Sequence, residues 1–140
     1  MKTVAVYILS CVIIAGKDVL SLPFMRFVIF LQKSFLAKVI NPIAIVYGIS
    51  MYVSIVSIPY ICRLFGVNFS FFMLCIPLLF SALNSLTRLM QIKTASTFRG
   101  TDFNKDPGAR YSFLSTESSC NWGDLIGVLM AITTIKYPWN

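Results

Sequence analysis

The chain has 140 residues, of which 57% are apolar, 14% aromatic and only 12% charged, and its mean hydropathy is +0.79. A water-soluble domain carries about 25% charged residues, and a chain this short has too much surface for its volume to hide such an apolar surplus. Composition therefore excludes an ordinary soluble globule and points to lipid as the solvent. The net charge of +7 does not read as a nucleic-acid footprint, because the basic residues flank apolar runs instead of forming a dense patch interleaved with aromatics. Flanking cations are what the positive-inside rule and attraction to anionic headgroups produce.

The first apolar run covers residues 3–16, preceded by Lys2 and followed by Lys17 and Asp18. Its outline is that of a signal peptide or a short membrane helix. The single early lysine, the lack of an A-x-A step before Lys17 and the return of apolar sequence beyond it favour a retained helix. Cys11, after Ile8-Leu9-Ser10, only faintly resembles a lipoprotein box, since Val12-Ile13-Ile14 prolongs the run.

Residues 23–40 mix apolar side chains with Arg26, Lys33, Ser34 and Lys38 in one broad helical sector, into which Phe27 and Phe30 intrude. This predicts a basic amphipathic helix in the headgroup region, started by Pro23 and ended by Asn41-Pro42. The rival is a return crossing over 19–31, which carries Arg26 through hydrocarbon at a cost of about 2.5 kcal/mol or more. The number of crossings before Pro42 stays open.

Two uncharged apolar runs follow, 42–62 and 67–86, each near the roughly 20 residues a bilayer crossing needs. The connection Arg63-Leu64-Phe65-Gly66 is short enough to make them an antiparallel hairpin, with Gly66 suited to the turn. Lys33 and Lys38 precede the pair, Arg88, Lys93 and Arg99 follow it, and only Arg63 lies in the turn. The cation-rich ends are expected on the cytoplasmic side. The sequon Asn68-Phe69-Ser70 is expected to abut or enter the second helix, beyond the reach of a glycosylating enzyme. Pro59 and Pro77 each remove a helix hydrogen bond.

Residues 91–121 hold most of the polar side chains of the C-terminal third and are expected to form a cytoplasmic loop, with Asp106-Pro107-Gly108 as a turn. Asp102, Asn104 and Asp106 alternate as in the start of a calcium loop, but Pro107 replaces the required glycine and Phe113 the bidentate glutamate. A last helix is predicted from Asn121 as N-cap, with Asp124 at N3, to Lys136 before Pro138. Trp122 and Trp139 bracket it about 26 Å apart, which suits either a short crossing or a partly inserted helix. The whole reads as one all-α integral membrane domain: an N-terminal region 1–41, a transmembrane hairpin 42–90, a polar loop 91–121 and a C-terminal membrane helix 122–140.

Two constellations stand out. Gly123, Gly127 and Ala131 line one helix face at four-residue spacing, and Ala44 and Gly48 make a second such step; small side chains let helix backbones approach closely in lipid. Their mate is either internal or a second chain. Ser81, Asn84, Ser85 and Arg88 share one face at i, i+3, i+4 and i+7, a poor neighbour for lipid and a candidate for interhelical hydrogen bonds or a wet path.

Chemistry beyond contact has little to stand on. There is no histidine, only five acids, no P-loop and no G-x-S-x-G, so acid–base, metal and cofactor constellations are not expected. Cys11, Cys62, Cys75 and Cys120 are widely spaced and read as apolar packing, with Cys120 in the polar loop the one candidate reactive thiol. The expectation is a non-catalytic protein of a bacterial inner (plasma) membrane without cofactors. It would act through helix–helix contacts with a membrane-protein partner or a second copy, as an accessory subunit or an immunity/exclusion-type protein. A small oligomeric transporter or channel lined by the polar stripe is the alternative.

Overall fold

A computed structural model describes residues 1–21, 27, 30 and 41–136. The amphipathic helix expected over 23–40 lies outside them, apart from the helical, exposed Phe27 and Phe30, as do Pro138 and Trp139. Among the described residues the main elements are α1 (Lys2–Ser21), α2 (Pro42–Leu64), α3 (Phe72–Thr94), β1 (Thr97–Phe98), β2 (Thr101–Asp102) and α4 (Pro107–Lys136).

Helix α2 begins where the sequence supplies both parts of an N-terminus. Asn41 Oδ1 accepts from the backbone N–H of Ile43 at 3.1 Å and of Ala44 at 3.5 Å, and Pro42 fills the first helical position. Its end is a Schellman motif: Val67 N–H donates to Cys62 O at 2.8 Å and Gly66 N–H to Arg63 O at 3.2 Å, with Gly66 at φ +69°. The chain then runs extended or turning to Phe71, so Asn68 sits exposed in the connection and not at the helix edge that the sequence suggested. Both α2 and α3 have 23 residues and are long and apolar enough to cross a bilayer. Pro59 and Pro77 are buried inside these helices.

The expected polar loop is largely structured, and the last helix does not start at Asn121. Helix α3 continues to Thr94, and α4 begins at Pro107, fourteen residues before the expected cap; Asn121 is interior to it. The physical reason is a stripe that hydrophobicity alone conceals. Phe113, Glu117 and Cys120 extend upward the face that carries Gly123, Gly127, Ala131 and Ile135, and partners on neighbouring elements cover it.

Between the helices, Thr97 pairs with Asp102 and Phe98 with Thr101 in an antiparallel β-hairpin, the one sheet among the described residues. Its two turn residues, Arg99 (φ +49°) and Gly100 (φ +80°), have the paired positive φ of a type I′ connection. Phe98 and Phe103 meet Phe113 edge to face at 5.5 and 5.8 Å, and Phe103 is buried. Arg110 lies over the Phe103 ring and donates to Lys93 O at 2.7 Å and Ala95 O at 3.0 Å, satisfying carbonyls at the end of α3.

Cross-helix partners fix the directions. Asn41 meets Ser119, Ala44 meets Gly123 and Tyr52 meets Thr134, so α2 and α4 run parallel. Ser85 meets Asn121 and Arg88 meets Glu117, so α3 is antiparallel to α4. Lys17 reaches Tyr47 and Asp124, while Val6 and Ile14 pack with α2 residues no earlier than Met51; α1 is therefore antiparallel to α2. The core runs along the bundle through Ile14, Met51, Ile55, Ile58, Leu74 and Ala131.

The exterior inverts the soluble pattern. Val12, Ile49, Val53, Leu79, Phe80, Leu83, Leu129 and Met130 are exposed, whereas Ser10, Lys17, Ser54 and Glu117 are buried. The two buried serines donate to carbonyls of their own helices, Ser10 to Val6 O and Ser54 to Ser50 O, which removes the cost of an unpaired hydroxyl.

Candidate functional site

Polar chemistry gathers at one end of the bundle, where Asn41 starts α2 and where α3 passes α4. Lys17 projects from α1 and is 2% exposed. Its Nζ donates to both carboxylate oxygens of Asp124 at 3.0 Å and lies 5.6 Å from the Tyr47 ring centroid. An ammonium so fully withdrawn from water is sustained only by a paired anion and further polar contact. One interaction thus joins α1, α2 and α4.

Two turns nearer the start of α4, Arg88 Nε lies 3.2 Å from Glu117 Oε1, an electrostatic pairing with no directed hydrogen bond between those two atoms. Between the ion pairs, Ser85 donates to Asn121 Oδ1. Asn41 Nδ2 donates to Ser119 Oγ at 2.6 Å while its Oδ1 caps α2. Cys120, expected in a polar loop and open to reagents, is instead 4% exposed and packed with Ile43, Val46 and Tyr47.

The small residues meet one another within the chain. A Cβ on Gly123 would overlap the Ala44 carbonyl, and one on Gly127 would overlap the Gly48 carbonyl and come within 3.0 Å of Met51 Cβ. Conversely, a Cβ on Gly48 would lie 3.2 Å from Gly123 O. Ala131, fully buried one turn on, belongs to the same core. This is the close backbone approach that small side chains permit, and it is made between α2 and α4 of one chain.

The polar stripe on α3 divides. Ser85 and Arg88 turn inward to Asn121 and Glu117. Ser81, half-buried, lines a groove that also exposes part of Asp124. Asn84 points away from the bundle and has no hydrogen-bond partner among the described residues.

Among the described residues, three concavities lie around this end. Two adjoin along the seam between α3 and α4, about 470 and 380 Å³, sharing Leu89, Asn121 and Leu125. A third, about 630 Å³, opens beneath the β-hairpin, floored by Arg88 and Glu117 with Arg99 and Asp106 on its walls. Among the described residues no group of three or more His, Cys, Asp or Glu side chains is placed to hold a metal ion.

Lys17, Tyr47, Asp124 and Glu117 are the site residues that sequence reasoning passed over. Lys17 and Asp124 were legible as ionisable residues beside apolar runs, and such residues usually pair with one another; as helix flank and helix cap they drew no attention to each other across 107 positions. Compared with protein-family models, curated proteins and solved structures, the chain matches none of them.

Proposed function

We propose that the chain is a non-catalytic membrane protein whose helix bundle crosses the bilayer and acts by contact with another transmembrane helix. The membrane part of the reading is supported by the two long apolar helices, the apolar exterior and the interior placement of Lys17 and Asp124. The cation-rich end, with the β-hairpin and the first turns of α4, faces the cytoplasm in this reading. An accessory subunit of a membrane complex, or an immunity/exclusion-type protein of a bacterial inner membrane, fits a small bundle that carries contact surface and little else.

Asn84 is the observation that carries the partner. Small residues and half of the polar stripe, Ser85 and Arg88, are already engaged inside the bundle, so they leave little for a second protein to use. Asn84 remains outward, one turn from Arg88 and beside the exposed Phe80 and Leu83. Lipid tails offer its amide no hydrogen bond, whereas an amide or hydroxyl on a neighbouring helix does, at about 0.6 kcal/mol per bond.

A photo-crosslinking residue at position 80 or 83, read in native membranes, should trap a specific protein adduct, and Asn84→Leu should weaken it without unfolding the bundle. A chain that stays dissolved in buffer without detergent would remove the membrane reading altogether. Solute flux in liposomes, abolished by Ser81→Leu with Asn84→Leu, would favour the oligomeric transporter. Sidedness is read at Lys105→Cys, which is exposed, because native Cys120 is shielded.

A further inference from the structure

We propose that the seam between α3 and α4 is a binding groove for one anionic phospholipid, its acyl chain laid along the apolar walls and its phosphate facing Lys93. The inference rests on the bilayer reading above. It needs no partner protein.

Shape is the first support. The two adjoining concavities form a continuous track from Leu78 at one end to Lys93 at the other, with Leu89 and Leu125 common to both. Fifteen residues of helix separate Leu78 from Lys93, about 22 Å at 1.5 Å per residue. One leaflet offers about 15 Å of hydrocarbon and roughly 6 Å of headgroup layer. The groove thus spans the depth of a single lipid.

Apolar side chains predominate along the whole track, and its one lysine stands at the mouth. Leu78, Leu86 and Val128 line the deep part beside Ser81, Ser85 and the Lys17-bound Asp124, while Lys93, Ser118 and Trp122 stand at the shallow end. Indole rings favour the boundary between tails and headgroups, and Trp122 is 62% exposed there.

Charge selects the headgroup. Asp124 borders the groove but is held by Lys17, and Glu117, two turns nearer the start of α4, faces Arg88. Lys93 has no acidic partner among the described residues. A cation at the mouth, with the nearby acids already paired, complements a phosphate carrying net negative charge and discriminates against a zwitterionic headgroup.

Trp122 can report occupancy. The full chain carrying Trp139→Phe, reconstituted into phosphatidylcholine vesicles, is titrated with bromine-tailed phosphatidylglycerol or, separately, bromine-tailed phosphatidylcholine, whose bromines quench only neighbouring indole. Phosphatidylglycerol should quench Trp122 at about fivefold lower mole fraction, the weight of one lysine beside an anionic headgroup. Lys93→Gln should erase that preference, and Leu89→Phe, which narrows the track, should weaken quenching by both lipids. Equal quenching by both lipids, unchanged in Lys93→Gln, would overturn the proposal and leave only bulk lipid at the seam. Protection of Trp122 from both would overturn it too, since protein would then occupy the groove. A Trp-free variant with Ile49→Trp, placed on the exposed face of α2, separates these failures from failure of the bilayer reading, because it is quenched by either lipid whenever the bundle is immersed.

Discussion

Two faces of α4 are packed by opposite means. Toward α2 it presents Gly123 and Gly127, and backbone lies against backbone with no room for a methyl group. Toward α3 it presents Glu117 and Asn121, whose side chains span the gap to Arg88 and Ser85. The glycine seam is closed along its length, while the polar seam is bridged at intervals and stays open beside the bridges as two adjoining, connected concavities. Small residues draw helices together through many weak dispersion contacts. Long polar residues hold helices in register without bringing them close.

Substitutions test this contrast, with stability measured by reversible denaturant unfolding in detergent micelles. The largest effect is expected at Asp124→Leu, which removes the carboxylate from beside the nearly inaccessible Lys17: a loss of about 3–5 kcal/mol, most of it restored by adding Lys17→Met. Failure of the second substitution to restore stability would mean that the pair does more than neutralise itself. Next comes the glycine seam. Gly127→Ala should cost about 2–3 kcal/mol, because its Cβ meets backbone that cannot swing aside.

Gly48→Ala should cost less, about 1 kcal/mol, since 3.2 Å to Gly123 O asks for a shift of a few tenths of an ångström. Equal costs at the two positions would show that the seam yields as a whole. On the polar seam, Ser85→Ala and Asn121→Ala should each cost only about 0.6 kcal/mol, and a double-mutant cycle should return the same small coupling. The smallest effect belongs to Gly16→Ala, whose added methyl meets nothing within 4 Å; helix propensity there predicts a gain of up to about 1 kcal/mol. Thiol labelling with a detergent-soluble maleimide extends the same logic: Cys75, on the outer face of α3, should react faster than Cys62 and Cys120, which the bundle encloses.

Much of the scaffold was legible from local pattern. The hairpin from Pro42 onward followed from two uncharged runs, and the Asn41-Pro42 start and Gly66 turn followed from capping chemistry. The N-terminal helix was seen but ended too early, because Lys17 and Asp18 look like a boundary when their partners are unknown. Residues 91–121 depart furthest from the expected polar loop, since they hold the β-hairpin and the first turns of α4. Residues 107–121 have too few apolar side chains to announce a helix by hydrophobicity, and Asn121-Trp122-Gly123-Asp124 imitates a helix start. Only Arg88, Arg110 and the aromatic hairpin reveal what that stretch packs against.

Composition and neighbours along the chain suffice for an apolar surplus, two long helices, a tight turn and rows of small and polar residues at helical spacing. Tertiary structure alone decided which rows meet. Ala44 and Gly48 lie 79 positions before Gly123 and Gly127, and Lys17 lies 107 before Asp124. Spacing along one helix gives the direction in which a side chain points but not what stands there. Pairing across the bundle is settled by the sum of all helix contacts at once, and that sum turned the glycine rows inward against each other and left Asn84 facing out.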